Sequence, residues 1–471
     1  MVPVPPVSAG VAVGWLVLAI TLADRTAAAG AEFWLTHPEG SARFQRQETA
    51  PVFRTGGATS QAVVAIDKQT TFQTMDGFGY TLTGGSAALL KAMSPDARRA
   101  VLTELFDSGS THLGVSYLRL SVGASDLDAR VFSYNDLAAG ETDPTLSRFD
   151  LGPDRTALLP VLREILALQP DLKMMASPWS APAWMKSNGD SRGGRLERRW
   201  FGAYAGYLVK YIEALRREGI VLDALTVQNE PLNPDNNPSM FMPAEDQAAF
   251  IRDHLGPALR AAGLRTRIVC YDHNADRVDY PLTVLGDPGA KAFVEGSAFH
   301  LYAGSIEALE AVHRAHPDRS LYFTEQWMSA PANLAGDLPW HVTHVLIGAS
   351  RHWCRTVLEW NLAADPHQGP HTDRGGCDRC LGALTLHGDR VTRNPAYYVI
   401  AHASKFVRPG SVRIASSGPD SLPQVAFRTP GNRTVLIAFN ADAVERRFII
   451  QAAEGRAEAS LPGRAVGTYV W

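Results

Sequence analysis

The sequence predicts an α/β fold: a (β/α)8 barrel with an appended β-rich part. Three observations lead there. Eight short apolar runs alternate with helical patterns through the middle of the chain. The two ends are β-rich and carry no convincing helix. The length, 471 residues, allows two to four domains or one large barrel with an appendage.

Residues 1–29 come first. Val7 to Ala23 contains no charged residue, and Ala27-Ala28-Ala29 follows as a small-residue stretch. The segment reads as a secretory signal peptide, which places the mature protein outside the cell or in the periplasm. Residues 1–24 contain no Lys or Arg, so the usual basic start is missing and an uncleaved anchor is the alternative. No other segment approaches membrane-span length, and no stable membrane span is expected in the mature protein. Residues 30–70 hold strand-like pieces, Phe33-Trp34-Leu35 and Ala62-Val63-Val64-Ala65-Ile66.

The barrel is assigned to residues 71–405. Its strands are Gly77–Thr83, Val115–Ser121, Leu172–Ser177, Ala224–Gln228, Arg267–Tyr271, Gly296–Tyr302, Leu321–Thr324 and Thr356–Trp360. Helices fall between most of them. One begins after Ser94, with Pro95 at its first position and Ala97, Val101, Leu102 and Leu105 at helical spacing. Others run over Phe201–Arg217 and Ala244–Ala262. A doubly wound open sheet is the alternative, but no strand end carries a Gly-rich phosphate loop. Residues 406–471 alternate in strand fashion, as in Thr434-Val435-Leu436-Ile437-Ala438-Phe439.

Composition narrows the function. Hydrophobic residues make up 45% and charged residues 20%, which excludes a disordered chain, a collagen-like fibre and a long coiled coil. Lys and Arg number 45 against 48 Asp and Glu, a net charge of −3 without the basic footprint of a dedicated nucleic-acid binder. The chain has four Cys, too few for a disulfide framework. Cys377 and Cys380 form a lone CxxC with no second pair to complete a zinc site. In an exported chain a local disulfide is the first reading, with unpaired thiols as the second. Cys270 and Cys354 sit in apolar runs and read as buried thiols.

In such a barrel the working residues lie just past the strand ends, on one face. The fourth strand ends in Gln228-Asn229-Glu230-Pro231 and the seventh in Thr324-Glu325-Gln326-Trp327. The other ends supply Arg119, Asp126, Trp179, Trp184, His300, Tyr302, Trp360 and Asn361. Two carboxylates facing one cleft can cleave an acetal: one protonates the leaving oxygen, and the other attacks the anomeric carbon or activates water. Aromatic faces suit the C–H side of a sugar ring, and the polar side chains suit its hydroxyls. Each feature also has a plainer reading. A lone Glu at a strand end is usually half of a salt bridge, Arg119 could be a buried ion-pair partner, Trp179 and Trp184 could be packing, and His300 a core histidine. Their coincidence at the strand ends favours a site.

Several segments together resemble glycoside hydrolase family 30, the group of glucosylceramidases and β-1,6-glucanases. They are Asp76-Gly77-Phe78-Gly79, Leu118-Arg119-Leu120, Ala176 to Lys186 (Ala-Ser-Pro-Trp-Ser-Ala-Pro-Ala-Trp-Met-Lys), Gln228-Asn229-Glu230-Pro231, Thr324-Glu325, Trp360-Asn361-Leu362 and Ser404 to Gly410 (Ser-Lys-Phe-Val-Arg-Pro-Gly). The resemblance covers roughly residues 33–471. It implies a barrel joined to a β-sandwich built from both chain ends, 30–70 and 406–471. It implies a retaining mechanism with Glu230 as acid/base and Glu325 as nucleophile. Asn229 would bind the 2-hydroxyl, Arg119, Asp126, Trp179 and Trp360 would hold the glucosyl ring, and Tyr302 would stand near the nucleophile. No metal or organic cofactor is implied. The implied partner is a glucoside: an oligosaccharide, a glucan or a glycolipid. After Gly79 the chain reads Tyr80-Thr81-Leu82-Thr83-Gly84-Gly85-Ser86, which departs from the animal enzymes, as does the loop Gly369–Gly382. The leaving group therefore stays open between glucosylceramide and β-1,6-glucan, with xyloside or fucoside as a lesser option. A non-catalytic sugar-binding protein on the same fold is the second class of function. A metal-dependent hydrolase is the third, and it lacks an HExxH or similar cluster.

Overall fold

The computed structural model describes residues 1–5, 30–56, 60–109 and 111–471. Most of the expected signal segment lies outside these residues. Among the described residues no helix is long and apolar enough to cross a membrane.

Eight parallel strands close into a barrel. We number them β1 (Gly77–Leu82), β2 (Tyr117–Val122), β3 (Lys173–Pro178), β4 (Ala224–Thr226), β5 (Arg267–Asn274), β6 (Val294–His300), β7 (Ser320–Glu325) and β8 (Cys354–Asn361). Each corresponds to one of the eight apolar runs. They are apolar on both faces because helices cover the outside and side chains fill the inside. One interior layer takes Tyr117, Met175, Ala224, Val269, Ala298, Tyr322 and Leu358, one residue from each of β2 to β8. On β1 the register partner of Tyr117 is Gly79, and a Cβ there would stand 1.8 Å from the Tyr117 carbonyl oxygen.

The helix Pro95–Phe106 starts as its sequence dictates, with Ser94 accepting from the Ala97 amide. Phe201–Arg217 is one helix. Residues 244–261 also stay helical throughout, but Ile251–Leu255 form a π turn between two α-helical stretches.

The floor of the barrel, at the N-terminal ends of the strands, is charged. Asp76 is almost fully buried and meets Lys173 Nζ at 2.7 Å, Arg355 Nη2 at 3.1 Å and Arg267 Nη1 at 3.5 Å. Arg267 also pairs with Asp223 and donates to the Tyr322 hydroxyl at 3.1 Å. This network joins the starts of β3, β5 and β8 beneath the interior layer.

The two chain ends build one nine-stranded sheet. Glu32–Thr36 lies between Gln45–Arg46 and Val466–Val470, and Ala62–Thr74 lies between Val412–Ser417 and Arg446–Ala452. The sheet curls onto itself as a sandwich. Phe448 and Tyr469, from strands well apart in the sheet order, meet edge-on at 6.1 Å, and Tyr469 stacks on Phe33 at 4.6 Å. The sandwich docks on the helix Pro395–Ser404 through His402, whose Nδ1 and Nε2 lie 2.8 Å from the hydroxyls of Thr468 and Thr36. Burial pushes His402 down to about 3, so it docks as a neutral ring.

The Asp76 network sets one test. Asp76→Ala leaves three cations facing a hole, and the expected loss is about 3–5 kcal/mol of stability. Urea unfolding should show that loss. The working face lies at the opposite end of the strands, so kcat/KM of the remaining folded enzyme should stay within a few-fold of wild type.

Candidate functional site

The opposite, C-terminal face opens into a cleft of about 480 Å³. Asp126, Trp179, Glu230, Tyr302, Glu325 and Trp360 line it, all of them expected from the sequence. Beneath them lies a fully buried polar layer.

Arg119 on β2 anchors that layer. It has no solvent exposure. Its Nη1 donates to Glu325 Oε2 at 2.7 Å. Its Nη2 donates to Asp272 Oδ2 at 2.8 Å, Asn229 Oδ1 at 2.6 Å and Ser177 Oγ at 3.1 Å. Asp272 accepts in turn from Ser177 at 2.7 Å, Thr226 at 2.8 Å and Thr324 at 2.6 Å. The planar guanidinium thus aligns groups from β3, β4, β5 and β7 at once.

Glu325 ends β7. Its Oε1 accepts from the Tyr302 hydroxyl at 2.9 Å. Glu230 stands just past β4 with φ 43°, in the left-handed region that a non-glycine residue occupies at a cost on the order of 1–2 kcal/mol. The turn is held by Glu230 N–H donating to the Asp272 carbonyl at 3.0 Å and Asn233 N–H donating to the Glu230 carbonyl at 2.9 Å. His300 ends β6 between the acids: Nδ1 lies 3.1 Å from Glu230 Oε1 and 3.6 Å from Glu325 Oε1, and Nε2 lies 3.2 Å from Asp272 Oδ1.

The aromatic wall is Trp179 and Trp360, with ring centroids 5.4 Å apart. The Cys377–Cys380 disulfide belongs to the same apolar cluster as both rings, together with Leu127 and Trp327. Asp126 Oδ1 and Trp179 Nε1, like His273 Nδ1, are buried polar atoms of the cleft wall without a protein partner. The first two are a carboxyl oxygen and an N–H donor of the kind that sugar hydroxyls satisfy.

Other residues fall away from the cleft. Asn361 does not line it; its Oδ1 accepts from Ser86 Oγ at 2.7 Å and Thr83 Oγ1 at 3.1 Å, tying β8 to the helix Gly84–Ala92. Trp184 donates to Asn135 Oδ1 at 2.8 Å and packs on Trp200, a packing role. Arg119, Asn229 and His300 do not line the cleft: Arg119 and His300 touch its acids, and Asn229 accepts from Arg119. Sequence reasoning missed Asp272, Asn233, Asn236, His273 and Trp327. Asp272 had a signal: it is an acid directly following the apolar run of β5. The strand continues past it to Asn274, with Tyr271 and Asp272 at φ 73° and 74°.

The charges are shared. Burial opposes ionisation of Asp272, but Arg119 and His300 outweigh it and hold the carboxyl far below its usual range. Burial likewise pushes Glu230 up, yet the His300 hydrogen bond, the charges of His273 and His300, and Asn233 bring it down to about 2. Burial pushes Glu325 up; His300 and Arg119 pull it back without cancelling the rise, to which Glu230 and Asp272 add. His300 itself is opposed by burial but raised to about 10 by Glu325, Asp272 and Glu230. These opposite shifts favour His300 over Glu230 as the holder of a shared proton. An oxygen of each catalytic-type glutamate and a nitrogen of His300 lie within 4.8 Å of one another, a spacing that could also suit a metal ion. Arg119 and protonated His300 already supply the positive charge these carboxylates face.

Because His300 holds its proton more tightly when folded, its contribution to stability is full below its ordinary pKa of 6.5 and is lost as pH rises through about 10. The difference in unfolding free energy between wild type and His300→Asn should therefore shrink from pH 6.5 to pH 10. Urea titrations across that window measure it.

Comparison with known proteins gives the family. Residues 75–407 match the family model described as the glycosyl hydrolase family 30 TIM-barrel domain, and residues 410–469 match the family 30 beta sandwich domain. An endo-1,6-beta-D-glucanase of Neurospora crassa is 36% identical over 386 residues, 79% of this chain and 78% of that protein. The lysosomal acid glucosylceramidase of Mus musculus is 27% identical over 436 residues, 87% of this chain and 83% of that protein. Among solved structures, an endo-beta1,6-glucanase superposes with a TM-score of 0.87 at 32% identity, covering 94% of this chain and 99% of that one. The chain belongs to glycoside hydrolase family 30 and is a glycosyl hydrolase.

Proposed function

We propose that this hydrolase cleaves β-1,6-linked glucan with retention of configuration. The observation that carries the reading is the closeness of the two carboxyls. An oxygen of Glu230 and an oxygen of Glu325 approach within 4.8 Å. That is near the roughly 5–5.5 Å of retaining glycosidases and well short of the roughly 6.5–9.5 Å that leaves room for an attacking water.

In the first step a Glu325 oxygen attacks the anomeric carbon and the glycosidic C–O bond breaks. Glu230 gives its proton to the departing oxygen, having received it from His300 as the sugar dries the cleft. Positive charge developing at the anomeric carbon favours the ionised form of Glu325, and Arg119 and Tyr302 orient its oxygens. In the second step Glu230 takes a proton from water, water oxygen bonds to the anomeric carbon, and Glu325 leaves. The sugar departs with the β configuration. Asp126 and Trp179 offer their unpartnered polar atoms to its hydroxyls, and the Trp179–Trp360 wall takes its C–H face.

The leaving group is read as a sugar. The cleft wall next to Glu230 is mostly polar, with Asn233, Asp235, Asn236, His273 and Asn274 beside Leu232 and Pro234. Among the described residues the exposed large apolar side chains are Met1, Val2, Val4, Val52, Val221, Trp340 and Val444, and none lines the cleft. This mostly polar wall favours a sugar over a ceramide as the leaving group. The higher identity to the Neurospora glucanase supports the same choice. Export belongs to this reading as well. The uncharged stretch Val7–Ala23 and the Cys377–Cys380 disulfide both fit an oxidising compartment.

Glu325→Gln should abolish turnover of an aryl β-glucoside by at least 10³-fold, roughly the lower bound for losing a catalytic nucleophile. Glu325→Gly with azide should restore turnover and release α-glucosyl azide, and near-wild-type activity in Glu325→Gln would sink the assignment. NMR should show the β anomer first. EDTA should leave activity unchanged. Parallel product profiles on β-1,6-glucan, glucosylceramide and aryl glycosides decide the leaving group. The expected result is glucan hydrolysis well ahead of glucosylceramide.

A further inference from the structure

Glu230 is held from two sides. His300 on β6 faces Oε1 at 3.1 Å. Oε2 faces two side-chain amides from the loop after β4: Asn233 Nδ2 at 2.7 Å and Asn236 Nδ2 at 3.2 Å. We propose that Asn233 and Asn236 are positioning residues that clamp Oε2 of Glu230 and leave Oε1 as the oxygen that carries and delivers the catalytic proton. The proposal rests on the reading of Glu230 as acid/base given above.

The hydrogen-bond count supports it. A carboxylate oxygen accepts through two lone pairs, and two N–H donors occupy both on Oε2. Only the NH₂ side of each amide can face a carboxylate, so the orientation of both asparagines follows from the contact itself. Oε1 then remains to exchange a proton with His300 Nδ1.

The loop is built to present these amides. Ser239 Oγ donates to the Pro234 carbonyl at 2.8 Å, closing the loop on itself. Thr372 Oγ1 donates to the Asn237 carbonyl, and Asn237 Nδ2 donates to the Asp373 carbonyl at 2.9 Å. Buried Lys186 donates to the Ser239 carbonyl at 2.7 Å, the Ser191 carbonyl at 2.9 Å and Ser180 Oγ at 2.9 Å. Loops after β3, β4 and β8 are thereby stitched into one wall, and Leu232 to Asn236 form its inner surface. Asn233 and Asn236 are thus fixed from outside the catalytic layer.

The clamp acts on a carboxyl surrounded by other charges. His300 and His273 face it as potential cations, Glu325 and Asp126 as acids, and Tyr302 and Tyr271 as phenols. Donors to the ionised form favour it over the neutral form. Their removal makes Glu230 hold its proton more tightly, so the alkaline limb of activity moves to higher pH.

The test is the pH profile of kcat for an aryl β-glucoside with a poor leaving group, which reports the substrate-bound enzyme in which Glu230 carries the proton, measured on the full chain with the melting temperature of each variant. Asn233→Ala should move the alkaline limb up by about one pH unit. Asn236→Ala, whose contact is longer, should move it in the same direction by less. Asn233→Asp, which sets a second carboxylate against Glu230, should move it further. A merely structural role would lower melting temperature and kcat and leave the limb in place. Asn236→Ala stands as an independent arm should Asn233→Ala fail to fold. A limb that coincides with wild type in the folded alanine variants overturns the proposal. Glu230→Gln separates the two readings: with a dinitrophenyl glucoside and azide it should form β-glucosyl azide and lose the alkaline limb. If it keeps that limb, the acid/base assignment itself has failed.

Discussion

A guanidinium with no access to water is the constraint on which the rest of the site depends. Arg119 emerges from β2 into the centre of the barrel, where an unpaired charge would be prohibitively unfavourable. Glu325 and Asp272 compensate it, and Asn229 and Ser177 take its remaining donors. Each partner comes from a different strand. The requirement to pair one buried cation therefore fixes the relative heights of four strand ends, and with them the Glu325 carboxyl. The same requirement explains why Arg119 touches the acids rather than the open cleft.

The upper layer is also a proton store. Four carboxyls, Glu230, Glu325, Asp272 and Asp126, crowd one small volume. Burial alone would drive protons onto all of them. Arg119 keeps Asp272 ionised, while His300 takes a proton and divides it among its carboxylate neighbours. Asp126, with no such cation beside it, is pushed well above its usual range by burial and by the negative charges of Glu325 and Glu230. It therefore suits a hydrogen-bond donor to a sugar hydroxyl as well as an acceptor. One neutral sugar and a near-neutral chain are consistent with a site whose charges are balanced internally and not by its ligand.

The barrel separates these demands in space. Its floor carries a different ion cluster around Asp76, which joins strand starts and touches no cleft residue. The sandwich adds a third unit, and it interleaves strands from both chain ends. Glu32–Thr36 pairs with Val466–Val470, and Ala62–Thr74 with Arg446–Ala452, so the sheet completes only when the last residues arrive. Neutral His402 bridges both kinds of strand to the barrel helix beneath them.

Much of this was legible in the sequence. Apolar runs of strand length determined all eight barrel strands, because strands buried on both faces need continuous hydrophobicity. Ser94-Pro95 marked a helix start, because capping is a local interaction. Glu230 and Glu325 stood out because each ends an apolar run with an acid. Tertiary structure decided what local pattern could not. Asp272 becomes central only when β2 brings Arg119 opposite it, a contact across 153 residues of sequence. Asn361 looked like a site residue because it follows Trp360, but its carbonyl turns to Thr83 and Ser86 from β1's far end. Asn233 and Asn236 look like ordinary turn residues until the left-handed backbone at Glu230 folds the carboxyl back toward them. The sequence by itself determined which elements form and which two acids stand at their ends. The closed barrel alone decided which donors, cations and rings those acids meet, because that depends on distances between strands that no local spacing encodes.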